Sequence, residues 1–192
     1  MSGPGVLLAT KLHVLRPPPG FVPRRRLVEA LGDGLARGRV LVSAPAGFGK
    51  TALLADWARG DGRPVAWLGL DGDDSDPARF WRYAVAALDR ARPGLAGRVG
   101  PLLPRSFEGL VTALINELAA NPGPAEVLLV LDDYHLIDSE PVHESVAFLL
   151  ENLPPGLRVV VSGRTDPPLP LARLRARGQL AELRRRPAVH HR

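Results

Sequence analysis

Short runs of consecutive apolar residues alternate along this chain with longer stretches in which apolar side chains recur every three or four positions. The runs Arg39–Ser43, Val65–Leu70, Val127–Leu131 and Arg158–Ser162 are rich in Val and Leu, with little polar alternation. That is the pattern of strands covered on both faces. Between them the helical period dominates. It predicts a helix from about Pro23 to Ala36, with Leu27, Ala30, Leu31 and Leu35 on one face, and another opening at Lys50 with Leu53, Leu54 and Trp57. Asp76 before Pro77 reads as an N-cap with proline at the first helical position, and Phe80, Ala84, Ala87 and Leu88 extend the stripe. Leu110, Leu114 and Leu118 predict a helix from Ser106 to about Ala120; Val142, Val146, Leu149 and Leu150 predict one starting at Pro141. Asn121-Pro-Gly-Pro124 and Pro154-Pro155-Gly156 stop these two, since proline lacks the N–H a helix needs to continue. Residues 1–22, with Pro17-Pro18-Pro19-Gly20, read as an extended lead-in. Strands alternating with helices in this order predict a three-layer α/β/α fold around a central parallel sheet.

Composition narrows the function classes. The 192 residues, 45% hydrophobic and 23% charged, can bury one sizeable core of ordinary globular character. No apolar run approaches the roughly 20 residues that span a bilayer. The N-terminus has neither the basic nor the long apolar region of a signal peptide, so the expectation is a cytoplasmic protein with no membrane partner. The absence of cysteine excludes disulfides and thiolate metal sites, and the five histidines show no metal-ligand spacing. The net charge of +5 is a property of the end of the chain: from Arg173 onward seven arginines and one glutamate carry +6, leaving −1 for everything before. The body therefore shows no charge signature of a nucleic-acid groove. Arg24, Arg25 and Arg26 crowd a predicted helix start, where the dipole disfavours cations; they read as a solvated charge run or as neighbours of an anion. The aspartates of Asp71-Gly-Asp-Asp-Ser-Asp76 lack the closing bidentate glutamate of a calcium loop.

Three stretches carry chemistry. After the first strand, Ala44, Pro45, Ala46, Gly47, Phe48 and Gly49 form a loop that leads into Lys50, Thr51 and Ala52 at a helix start. Strand, glycine loop, Lys-Thr and helix make the phosphate-binding P-loop, whose amides converge on one anion site. Lys50 is expected to reach the β- and γ-phosphates and Thr51 to ligate Mg²⁺. Ala44 stands where the general pattern has glycine. The strand Val127–Leu131 ends in Asp132-Asp133, the Walker B pattern, with Asp132 expected to hold Mg²⁺ and Asp133 to orient or deprotonate the attacking water. The last strand delivers Gly163-Arg164 to the same sheet edge, where Arg164 can touch a γ-phosphate.

With these residues in place, the chain closely resembles the N-terminal ATPase domain of MalT-type, large LuxR-family transcriptional regulators, members of the STAND class of signal-transduction NTPases. Thr10-Lys11-Leu12 with Val22-Pro-Arg24 and Leu27 resembles the family's opening box, and Ser43 to Thr51 its phosphate loop, in which the first glycine is commonly replaced. Trp67-Leu-Gly-Leu-Asp71 with Asp76-Pro-Ala-Arg-Phe80 resembles the next strand and helix. Val130 to His135 resembles the Walker B segment, and Ser162-Gly-Arg164 with Pro170 to Arg177 the sensor strand and its sequel. The resemblance implies a sheet in which the strand reaching Ser162 lies between the P-loop and Walker B strands. It implies that ATP or ADP with Mg²⁺ is bound, and that ATP binding, with slow hydrolysis as a reset, controls self-association. It places the adenine between the opening box, around Val22 and Arg24, and the sheet edge.

The expected division is a lead-in over 1–22 that contributes to the nucleotide site, a P-loop NTPase domain over 23–183, and a basic tail over 184–192. After Leu183 the family pattern would continue into a helical domain, a sensor domain and a helix-turn-helix. Arg184 to Arg192 departs from it, as a truncation or a shifted reading frame would, so DNA is expected only through a helix-turn-helix absent from this chain. Two alternatives stand beside the switch module: an inactive gene fragment, and a stand-alone P-loop ATPase or small-molecule kinase. The kinase would need an acceptor pocket and an arginine-rich lid, and residues 97–107 hold only Arg98 and Arg105. No Asn-Lys-x-Asp motif for reading guanine occurs.

Overall fold

Residues next to each other in a strand face opposite sides of its sheet, and here both sides are covered. The computed structural model describes residues 6–100 and 106–184. Its single sheet holds β1 (Arg39–Ser43), β2 (Val65–Gly69), β3 (Val127–Asp132), β4 (Leu157–Gly163) and β5 (Leu180–Arg184), all parallel, in the order β2-β3-β4-β1-β5. The helices are α1 (Arg25–Leu35), α2 (Lys50–Asp61), α3 (Pro77–Ala91), α4 (Leu95–Val99), α5 (Phe107–Ala120), α6 (Glu140–Glu151) and α7 (Leu171–Ala176). Val40, Val42, Leu128, Val130 and Val160 pack with Leu31 and Leu35 of α1 and Leu53, Leu54 and Trp57 of α2. Their strand neighbours Leu41, Leu129, Leu131, Val159 and Val161 pack with α3, α5 and α6 through Phe80, Leu88, Leu114, Val146 and Leu149. Three layers follow from that alternation, as the sequence pattern predicts.

The local signals place most boundaries within two residues. The Asp76 carboxylate accepts from the Arg79 amide at 2.7 Å and Pro77 opens α3; the Ser106 hydroxyl accepts from the Gly109 amide at 3.0 Å and α5 begins at Phe107. β4 lies between β1 and β3, the order the family resemblance implies, so the carboxyl ends of the three chemistry-bearing strands adjoin.

Several expectations are corrected. The sheet has a fifth strand, β5, whose register runs from Leu180 opposite Arg39 to Arg184 opposite Ser43. Its Leu-Ala-Glu-Leu-Arg sequence carries no continuous apolar run, in keeping with an edge position: among the described residues β1 is its one partner. Arg184 therefore belongs to the folded domain rather than to the tail; residues 185–192, with the rest of that expected segment, lie outside the described residues. The short helices α4 and α7 have too few apolar positions to show a period. The lead-in is not purely extended: Ala9–Leu12 is a 3₁₀ turn. Lys11 reaches from it to Asp71 at 2.8 Å and, closer still, to the fully buried Asp74, which also pairs with Arg79 at 3.1 Å. Lys11, Arg79 and the turn's own amides thus engage the acidic turn's carboxylates.

Candidate functional site

Gly47 and Gly49 hold φ of +77° and +70°, a left-handed conformation that strains a residue with a β-carbon, so glycine lets the loop after β1 take this path without that cost. The path delivers Lys50 to the first turn of α2, whose N-terminus no side chain among the described residues caps. The amides of that turn are free for an anion. The buried Lys50 ammonium lies across the loop, donating to the Ala44 carbonyl at 2.7 Å and the Pro45 carbonyl at 3.2 Å.

Next to it, the Thr51 hydroxyl donates to one oxygen of Asp132 at 2.7 Å, which joins the P-loop to the Walker B strand directly. The other Asp132 oxygen accepts from the buried Ser162 hydroxyl on β4 and from the Asp133 amide at 3.1 Å. Burial pushes the Asp132 carboxyl above its ordinary value, and the hydrogen bonds from Ser162 and Thr51 oppose that shift. A folded-state value above the unfolded one means that ionised Asp132 costs stability at neutral pH, a cost relieved as pH falls through the raised value towards the unfolded one. Asp132→Asn is accordingly expected to raise the melting temperature of the ligand-free protein at pH 7, with the gain shrinking as pH falls towards the unfolded carboxyl value of about 4. Melts across that range that show a loss instead would mean the hydrogen bonds outweigh desolvation.

Asp133 is the sole non-glycine residue with positive φ among the described residues, at +59°. That conformation costs roughly 1–2 kcal/mol for a residue with a β-carbon. Its amide is anchored to Asp132 and, at 3.2 Å, to the Ser162 hydroxyl, and the turn sets its carboxylate in an open cavity of about 350 Å³. Ala46, Gly47, Gly49, Lys50, Thr51 and Arg164 line the rest of that cavity. A second, larger cavity of about 460 Å³ shares Lys50 as a wall. Arg24, Leu27, Phe48, Leu53 and the end of β5 surround it, and the Arg24 guanidinium donates to the Phe48 carbonyl at 3.0 Å.

The fold thus brings together Lys50, Thr51, Asp132, Asp133, Arg164 and the glycines, with Ala44 and Arg24 on the second cavity. Val22 is 75% exposed, and neither it nor Ala52, in the first turn of α2, lines either cavity. Sequence reasoning missed three polar residues here. Ser162 positions both acids. Arg184 is a wall of the larger cavity. His135 lies 3.8 Å from the Asp133 carboxylate, and its two buried ring nitrogens have no hydrogen-bond partner among the described residues. Burial lowers the His135 pKa against the opposing pull of Asp133, which favours the neutral ring. The signal for His135 was its place three residues after Asp132, the strand-end acid; for Ser162, a hydroxyl ending an apolar run.

The donor set suits Mg²⁺, a hard cation held by one or two protein oxygens together with phosphate oxygens: the Thr51 hydroxyl and the Asp132 carboxylate already touch. Among the described residues no group of three or more His, Asp or Glu could hold a metal alone, and no helix is long and apolar enough to cross a membrane.

No protein-family profile matches the chain. Over 167 residues, 84% of its length, it is 40% identical to the HTH-type transcriptional regulator MalT of Yersinia enterocolitica, and over 166 residues 38% identical to that of Cronobacter sakazakii. Each match covers 18% of the relative, so the chain spans about a fifth of the curated proteins it resembles. Among solved structures, a Walker-type ATPase of Pyrococcus abyssi aligns with 74% of this chain and 45% of its own, at 15% identity and a TM-score of 0.47.

Proposed function

We propose, for a chain homologous along 84% of its length to the MalT-type transcriptional regulators, that residues 23–184 form an ATP-binding, slowly hydrolysing switch module. The contact between Thr51 and Asp132 carries the reading, because it joins the two motifs that must share one metal–triphosphate. The phosphates would lie on the α2 N-terminus in the smaller cavity, with Lys50 exchanging loop carbonyls for phosphate oxygens. Thr51 and Asp132 would hold Mg²⁺, which supplies charge neutralisation on the phosphates. Asp133, on its strained turn, would orient the attacking water, with neutral His135 at its side. Arg164 would contact the γ-phosphate and so distinguish ATP from ADP. The larger cavity, with apolar Leu27, Phe48 and Leu53 beside Arg24, suits a flat base. Nucleotide state would then govern association with a second copy, and DNA contact belongs to a helix-turn-helix domain of the kind the relatives' name records, not to these residues.

Titration with ATP and ADP, with and without Mg²⁺, tests the module, with molecular size read in each state. A ligand at about a hundred times its Kd adds about 2.7 kcal/mol of stability, a clear rise in melting temperature. Absence of any nucleotide-dependent rise would sink the reading. Asp133→Asn is expected to cut hydrolysis about 100-fold or more while ATP still binds; hydrolysis at the normal rate would remove Asp133 from its role.

A further inference from the structure

At the carboxyl edge of the sheet, Ser43 of β1 is flanked by Gly163 of β4 on one side and Arg184 of β5 on the other. The Arg184 guanidinium reaches across the end of β1 to Asp166, in the loop that follows β4, its two terminal nitrogens donating to the two carboxylate oxygens at 2.6 and 2.9 Å. It is held in that pose by Glu182 at 2.7 Å, which is itself gripped by Arg175 of α7 at 2.8 and 2.9 Å. A planar fork fixed by two carboxylates defines direction in a way that a single flexible contact does not. Asp166 stands two residues after Arg164, a wall of the smaller cavity, while Arg184 is a wall of the larger one. One ion pair therefore bridges the P-loop strand and ties the two cavities together through a loop of few residues.

We propose that Asp166 is a positioning residue: paired with Arg184 across β1, it holds the loop after β4 so that Arg164 points at the γ-phosphate, and it thereby sets the preference for ATP over ADP. This rests on the nucleotide reading above. Asp166 lines neither cavity, so its effect passes through Arg164. The pair is half exposed, and exposed pairs contribute little to folding, so its removal leaves a folded protein in which the coupling can be read.

The experiment measures ATP and ADP affinity of the full chain for Asp166→Asn, Arg184→Met and the double variant, and for Asp166→Asn in an Arg164→Ala background. Asp166→Asn is expected to weaken ATP about fivefold, a small coupling by the usual scale, and to leave ADP unchanged. It is expected to add no further loss once Arg184 or Arg164 is replaced, since residues acting through one link are non-additive. Equal losses for ATP and ADP, or full additivity with Arg164→Ala, would overturn the proposal while leaving nucleotide binding intact. If the unaltered chain binds neither nucleotide, the nucleotide reading fails and this inference falls with it.

Discussion

Lys50→Ala is expected to weaken ATP binding by about 100-fold or more, the usual consequence of deleting one member of a buried, charge-assisted contact. The side chain is buried, and its ammonium sits on two carbonyls of the loop that would surround the phosphates. The chain has only one more lysine, Lys11 of the lead-in, and its ammonium is already paired with Asp71 and Asp74. Loss of the ammonium leaves the loop glycines and α2 intact, so the fold should survive with a change of a few degrees in melting temperature. Calorimetric titration of ATP, with near-ultraviolet circular dichroism as the check on folding, decides the matter. A folded Lys50→Ala protein that binds ATP like the unaltered chain would move the nucleotide away from this loop altogether.

The largest expected effect on stability lies elsewhere, at Trp81. Its indole is buried between α3 and α6, meets the Phe80 ring edge-on at 5.3 Å, and donates through Nε1 to the Ser145 hydroxyl at 2.8 Å. Trp81→Ala would open a cavity in the face of the sheet covered by α3, α5 and α6. Substitutions of this kind cost about 3–5 kcal/mol, and in a domain of this size that corresponds to a fall of roughly 10 °C in melting temperature. Ser145 keeps a partner in the Val142 carbonyl, so the loss is one of packing more than of an orphaned hydroxyl. Because α6 follows the Walker B turn, and the buried Tyr134 hydroxyl meets His143 of α6 at 3.0 Å, the variant is also expected to bind ATP less tightly on warming well before it melts. A melting temperature within a few degrees of the original would mean that α3 and α6 close over the gap.

Much of the candidate site's arrangement was readable because the residues concerned are neighbours in the chain. Lys50-Thr51 follows the loop that positions it, and Asp132-Asp133 ends the strand that carries it, so spacing alone predicted both. Val22, carried over from a resemblance by its place in an opening box, is exposed and lines neither cavity; its spacing in a proline-rich lead-in carries no information on how close the chain passes to the site. Ser162 was visible only as the polar end of an apolar run, and its part in anchoring both acids arises from the meeting of β3 and β4. β5 escaped because an edge strand needs only half the apolar content of a central one, and Leu-Ala-Glu-Leu-Arg next to further arginines looked like the start of a charged tail.

What the sequence by itself determined is the alternation of strand and helix, the three-layer architecture, and the identity of the strand ends that carry a cation and acids. Those follow from periodicity and from residues adjacent in the chain. Only the tertiary structure decided that β5 joins the sheet, that Asp133 takes a left-handed turn, and that Arg184 reaches over β1 to Asp166. Each depends on groups brought together across strands, many residues apart; the hydrophobic period says which face of an element is buried, not which distant polar groups will meet at the sheet edge.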